Sequence, residues 1–188
     1  NRKGLNIGEG AGLFLLEKAE GGVQLLGVGE SSDAHHMSAP DPEGNGAVLA
    51  IWDALNKANL SPEGIHYINL HGTGTRLNDE IEARAMHRVF SKLPPCSSTK
   101  PLTGHCLGAS SAIEAGICWL LLSRSHKNEE PICFPPHWWD GEVDETFPTL
   151  PLTTPGQSIS AKGMVTFMSC SFAFGGNNVA LIMGRDFD

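Results

Sequence analysis

Hydrophobic positions in this chain change their period several times. From Ala47, the residues Val48, Ile51, Trp52, Leu55 and Ala58 recur at intervals of three and four, the spacing of one helical face. Ile81, Ala85, Met86 and Val89 repeat that spacing. Asn78 is placed as the N-cap of this second helix, with Asp79, Glu80 and Glu82 in its first turn against the helix dipole. Leu93-Pro94-Pro95 stops it. A third, longer and more apolar helix is predicted from about Cys106 to Ser123, and its small residues Gly108 to Ala112 permit close packing.

Between these helices lie short runs of β-branched and aromatic residues that read as strands: Ile65 to Leu70, Cys96 to Thr99, Pro131 to Phe134, Met164 to Cys170 and Val179 to Met183. Near the start, Gly8 to Gly12 reads as a turn before a buried strand, Leu13 to Lys18. Glu20-Gly21-Gly22 reads as a hairpin turn into a second strand, Val23 to Gly29. Ser31 to Gly46 and Pro135 to Ser158 are irregular, rich in Pro, Gly and Asp. The alternation predicts a layered α/β fold.

With 188 residues the chain is one domain, or part of one. Its formal net charge of -8 argues against a nucleic-acid-binding surface. No run reaches the roughly 18 apolar residues of a membrane span, since Glu114 interrupts the longest one. The five cysteines show no C-x-x-C spacing and read as reduced thiols in a cytoplasmic protein. The histidines lack the paired spacing of a zinc site, so no zinc site is expected. The opening Asn1-Arg2-Lys3-Gly4 lacks Met and runs almost directly into strand-like sequence, which predicts a piece of something longer.

Two histidines stand where chemistry is done. His71 ends the Ile65 to Leu70 run and is followed at once by Gly72-Thr73-Gly74-Thr75. In open α/β sheets the carboxyl ends of strands face the ligand crevice. The glycines let backbone bend close to a ligand, and the threonines hold out hydroxyls. His105 follows Lys100-Pro101-Leu102-Thr103-Gly104 and is placed at or just before the N-terminus of the apolar helix. The dipole there disfavours an imidazolium, and a neutral donor suits stabilisation of negative charge on oxygen. Two other motifs compete. Gly8 to Gly12 superficially resembles a dinucleotide fingerprint, but no βαβ unit follows. Ser97-Ser98-Thr99-Lys100 contains S-x-x-K, but Pro101 disfavours helix at Lys100 and no Lys-Thr-Gly follows.

Three segments in this order, His71 to Thr75, Lys100 with Gly104-His105, and Phe172-Ala173-Phe174-Gly175-Gly176-Asn177-Asn178, resemble the β-ketoacyl-acyl carrier protein synthases, the condensing enzymes of fatty acid and polyketide synthesis. Gly8 to Gly12 and Ser98 to Lys100 extend the match over nearly the whole chain. The resemblance implies the thiolase fold, two similar α/β halves packed in layers, with this chain as the carboxyl-terminal half. Residues 1–32 are expected to be terminal strands of the amino-terminal half, and residues 33–188 the carboxyl-terminal domain. The family's nucleophilic cysteine then lies in the missing half, and the chain alone is expected to be inactive.

The resemblance also implies roles. His71 and His105 match the histidines that bind the thioester oxygen during decarboxylation of malonyl carrier. Lys100 matches the active-site lysine, and Glu114 the helix glutamate that pairs with it. Thr73 and Thr75 match residues that bind the phosphopantetheine arm, and Phe172 and Phe174 are the gate of the acyl pocket, Phe174 matching the gating phenylalanine. There are departures. Ala173 replaces a glycine, Cys106 and Ser110-Ser111 replace alanine or glycine, and Asn177 replaces threonine, which bears on acyl preference and gate movement. The implied partners are an acyl carrier protein, the amino-terminal half, and a second subunit in a homodimer or heterodimer. Arg84, Arg88 and Lys92, or Arg124 and Lys127, are candidates for docking the acidic carrier. A reading from another class is a non-catalytic partner subunit that sets chain length. The retained His71, Lys100 and His105 favour an active parent.

Overall fold

The computed structural model describes residues 4–124, 130–146 and 148–188. Among these residues, seven strands and four α-helices appear in the order β1 (Gln24–Ser32), α1 (Asn45–Ala58), β2 (Tyr67–Asn69), α2 (Arg76–Val89), β3 (Cys96–Ser97), α3 (Lys100–Thr103), α4 (Ser110–Ser123), β4 (Ile132–Cys133), β5 (Ser158–Ile159), β6 (Met164–Phe172) and β7 (Asn177–Asp186). Five strands form one mixed sheet in the order β1-β7-β6-β2-β3, and β4 and β5 form a small antiparallel pair.

The sheet is buried on both faces, and the strands' two-residue period assigns each side chain to one of them. Ile68 of β2, Met168 and Cys170 of β6, and Ala180 and Ile182 of β7 face the layer of α1 and α2, among Ile51, Leu55, Met86 and Val89. Tyr67, Phe167 and Met183 point the other way, onto Cys118 and Leu122 of α4 and Phe134. Tyr67 stacks on Phe134 with ring centroids 5.2 Å apart. Burying each large apolar side chain contributes roughly 1.5–3 kcal/mol, so the two helical stripes read in the sequence account for much of what holds the layers together.

β2 runs parallel to both β3 and β6. Their carboxyl ends therefore share one edge of the sheet. That edge carries His71 beyond β2, Ser98 to Lys100 beyond β3, and Phe172 at the end of β6.

Several expectations are corrected. Leu13 to Lys18 forms no strand, and Leu13 is fully exposed. The predicted hairpin is therefore absent, and β1 pairs antiparallel with β7 instead. Apolar content alone cannot distinguish a strand with partners from an extended segment without them. β1 lies at the edge of the same sheet as β7. α2 starts earlier than Asn78: Thr75 is its N-cap residue, and Asp79 accepts from the Gly74 N–H at 3.3 Å. A 3-10 turn, Leu107–Ala109, precedes α4, which begins only at Ser110. Lys100 is helical despite Pro101, because it is the first residue of α3, where Pro101 needs no N–H partner. S-x-x-K fails on other ground: Ser97 is in β3 and bonds to Tyr67 and to the Pro135 carbonyl.

Candidate active site

The Gly72 to Thr75 turn is held from inside by a carboxyl group and an ammonium group. Glu82 of α2 accepts the His71 N–H at Oε1 and the Gly72 N–H at Oε2, each at 2.8 Å. Lys100 donates through Nζ to the His71 carbonyl at 2.5 Å, and the same ammonium meets Glu114 of α4. All three side chains are buried. Ser98 Oγ closes the far side by donating to the Gly72 carbonyl at 2.7 Å. Gly72 has φ +41, and a Cβ there would lie 2.5 Å from the Ser98 Cβ. Only glycine fits this turn.

These contacts fix the His71 backbone and leave its ring facing the strand ends. The His71 and His105 rings meet edge to face, with centroids 5.5 Å apart and planes at 85°. Phe172 adds an apolar edge, its centroid 6.1 Å from that of His71. His105 is anchored by a strand-like bridge to the amino-terminal segment: its N–H donates to the Asn6 carbonyl at 2.7 Å, and its carbonyl accepts the Gly8 N–H at 3.1 Å. A Cβ on Gly8 would meet the Thr103 carbonyl at 2.4 Å. This close approach is what the glycine motif serves, in place of a nucleotide.

The electrostatics hold both rings neutral. Burial, then the Lys100 charge, then His105 depress the His71 imidazole to about 2. Burial and Lys100 also lower His105. His105 thus has the neutral state expected of it but for a different reason: the 3-10 turn separates it from α4, and its depression comes from burial and a cation. Its Nδ1 accepts the Leu107 N–H at 3.3 Å, which leaves Nε2 to carry the proton. His71 Nδ1 is buried without a partner among the described residues.

Burial raises Glu82 to about 7, opposed mainly by the Gly72 N–H. Burial also pushes Glu114 up, against the opposing Lys100 ammonium. Glu82 was assigned to the helix dipole in the sequence, yet it lies on the apolar face of α2. The legible signal is its spacing: Ala85, Met86 and Val89 follow it at three, four and seven positions, so a carboxylate interrupts the stripe as Glu114 does.

The other expected site residues are placed unevenly. Thr73 and Thr75 share a hydrogen bond between their hydroxyls at 2.8 Å, on the same turn as His71. Phe172 is beside the histidines, whereas Phe174 is 78% exposed in the 3-10 turn Phe174–Gly176. Two proposed docking arginines are occupied: Arg84 pairs with Glu80 at 2.6 Å, and Arg88 donates to the Glu43 carbonyl and Asn45. Lys127 lies outside the described residues.

A cavity of about 450 Å³ opens behind the turn. Gly72, Thr73, Glu82 and Lys100 line it, but neither histidine does, so it is a neighbour of the imidazole pair and not its substrate face. Among the described residues no group of three His, Cys, Asp or Glu side chains could hold a metal ion. Among the described residues no helix is long and apolar enough to cross a membrane. The five cysteines are free thiols, and burial raises Cys118 to about 12 and Cys170 well above the usual range. Such thiols are poor nucleophiles at neutral pH.

Residues 23–127 match the family described as "Beta-ketoacyl synthase, C-terminal domain". The mitochondrial 3-oxoacyl-[acyl-carrier-protein] synthase of Arabidopsis thaliana is 40% identical over 97% of this chain and 40% of its own length. The 3-oxoacyl-[acyl-carrier-protein] synthase 2 of Coxiella burnetii is 37% identical over the whole chain and 45% of its own length. Among solved structures, the ketosynthase ApeO in complex with its chain length factor ApeC, from Xenorhabdus doucetiae, aligns with a TM-score of 0.78 and 51% identity over 89% of this chain and 40% of that one. The chain spans less than half the length of these relatives.

Proposed function

The chain belongs to the β-ketoacyl synthase family as its carboxyl-terminal domain, and from that membership we propose that it supplies the two histidines of a decarboxylative condensation between an acyl thioester and malonyl-acyl carrier protein. The observation that carries this proposal is the edge-to-face pair of neutral imidazoles at the shared strand end, His71 buried and His105 half-buried. Decarboxylation of the malonyl group leaves the electron pair of the broken C–C bond on the α-carbon and thioester oxygen. Fixed N–H donors in a dry site stabilise such an oxyanion by roughly 3–4 kcal/mol each. Neutral imidazoles can donate there without surrendering a full charge. The enolate carbon then attacks the acyl thioester and expels the enzyme thiolate.

Lys100 supports the reaction at one remove. It holds the His71 carbonyl, and its charge lowers both imidazoles. Glu114 partners the buried ammonium. Thr73 and Thr75 present hydroxyls for the amide-rich phosphopantetheine arm of the carrier. Phe172 bounds the acyl pocket and Phe174 gates its mouth, the latter swinging in from its exposed position on the glycine turn. The nucleophilic cysteine comes from an amino-terminal half. No bound cofactor is required, because the carrier brings its own prosthetic arm. The parent works in the cytoplasm as a homodimer or heterodimer. The complexes of similar ketosynthases with chain length factors support a paired assembly.

The test is carbon dioxide release from malonyl carrier by the full-length enzyme with His71 or His105 replaced by alanine. Loss of release in both supports the assignment; retention in both removes it.

A further inference from the structure

His137 lies in the proline-rich stretch after β4, beyond the motifs that carry the proposed chemistry. Its backbone N–H donates to the Thr153 carbonyl at 2.9 Å, and its Nδ1 accepts the Ser98 N–H at 3.1 Å. Ser98 is only 1% exposed, so water offers that amide no alternative. Ser98 in turn touches the site twice. Its Oγ donates to the Gly72 carbonyl at 2.7 Å and accepts the Lys100 N–H at 3.3 Å. One hydroxyl thus ties the turn after His71 to the start of α3.

We infer that His137 is a positioning residue for the condensation: it fixes Ser98, and through Ser98 the turns that present His71 and Lys100. The inference rests on the assignment of those two residues to the reaction. It also implies a proton dependence that follows from geometry. An Nδ1 that accepts from an amide carries no proton. An imidazolium donates from both nitrogens and would set donor against donor at Ser98. Protonation of His137 therefore releases the brace. His137 shares its cavity wall with Lys100, which opposes proton uptake, and with Glu82, Asp79, Asp140, Glu142 and Asp144, which favour it when ionised. Trp139 stands edge-on at 6.0 Å.

Two substitutions separate positioning from simple packing. His137→Asn keeps an acceptor near the Nδ1 position and cannot ionise. His137→Leu keeps bulk and removes the acceptor. The test has two arms. The first follows Ser98 amide exchange and the His137 ring by NMR against pH, in the 188-residue chain. The second measures kcat and KM for malonyl-carrier decarboxylation against pH, in the full-length enzyme.

In the wild type, Ser98 protection should fall as His137 takes up its proton, and kcat should fall over the same interval. The leucine variant should lose about tenfold in kcat, the scale of one buried acceptor, with KM nearly unchanged. The asparagine variant should stay within about threefold of wild type and lack the acid limb assigned to His137. Equal loss in both variants, or Ser98 protection indifferent to His137→Leu, overturns the inference. If the leucine variant does not fold, the asparagine pH profile decides: an unchanged acid limb overturns it. Failure of the underlying assignment looks different, because decarboxylation would then survive His71→Ala and His105→Ala whatever Ser98 does.

Discussion

Lys100 and Glu114 meet in the interior between α3 and α4, and both are at most 5% exposed. The ammonium also holds the His71 carbonyl. A charge pair taken out of water gains little net stability, but either member alone is costly. Lys100→Met should therefore destabilise the chain by about 3–5 kcal/mol, and Glu114→Leu by a similar amount. The double variant should recover much of that loss. Urea unfolding of the wild type, two singles and double gives the coupling directly. Additive losses would show that the two side chains do not act as a pair.

Glu82 gives a pH signature. Its carboxyl rises from 4.5 in the unfolded chain to about 7 in the fold. The native state then holds the proton longer, so stability should fall as pH rises from 4.5 through 7, by at most roughly 2–3 kcal/mol. Glu82→Gln should flatten that interval. It should also cost about 1–3 kcal/mol at pH 5, because its amide nitrogen, unlike the hydroxyl oxygen of the protonated acid, cannot accept from a backbone N–H. Unfolding midpoints at pH 5 and pH 8 check both effects. A slope that survives in Glu82→Gln assigns it to other groups.

His71 should show the opposite slope. Its imidazole falls from 6.5 to about 2 on folding. Below pH 6.5 the unfolded chain takes up a proton that the native ring refuses, so stability should drop as pH falls. The ring should show no titration between pH 5 and pH 8 by NMR. A midpoint near 6.5 would mean that the ring is solvated, and its proposed role as a neutral donor would go with it.

Gly72→Ala tests the turn itself. The added Cβ would stand 2.5 Å from the Ser98 Cβ at a positive φ. A loss of about 2 kcal/mol in stability is expected, with a larger fall in kcat than in substrate affinity. Unchanged kcat would show that the His71 ring does not depend on the turn that carries it.

The helical layers and the place of each histidine, one after a strand and one before a helix, were legible from local signals, whereas the meeting of the two histidines was implied only by the family resemblance. The α1 and α2 stripes follow a 3.6-residue period, and His71 ends a strand followed by an unusual turn. Other features depend on partners distant in sequence. Leu13 to Lys18 has the composition of a strand but pairs with no strand among the described residues. Asn78 is a good capping residue, yet the Glu82 clamp on the turn starts α2 earlier, at Thr75. Glu82 looked like a solvated carboxylate because its acidic neighbours, Asp79 and Glu80, mask its place on the apolar stripe. His137 could not be assigned at all, since nothing local ties it to Ser98.

The most direct measurement is the initial rate of malonyl-carrier decarboxylation by the full-length enzyme with His71→Ala, His105→Ala and both together. If the two imidazoles share one developing oxyanion, each single change should cost about 10²–10³-fold, and the double should cost less than the product of the two. Rates near wild type in both single variants would contradict the account at its centre.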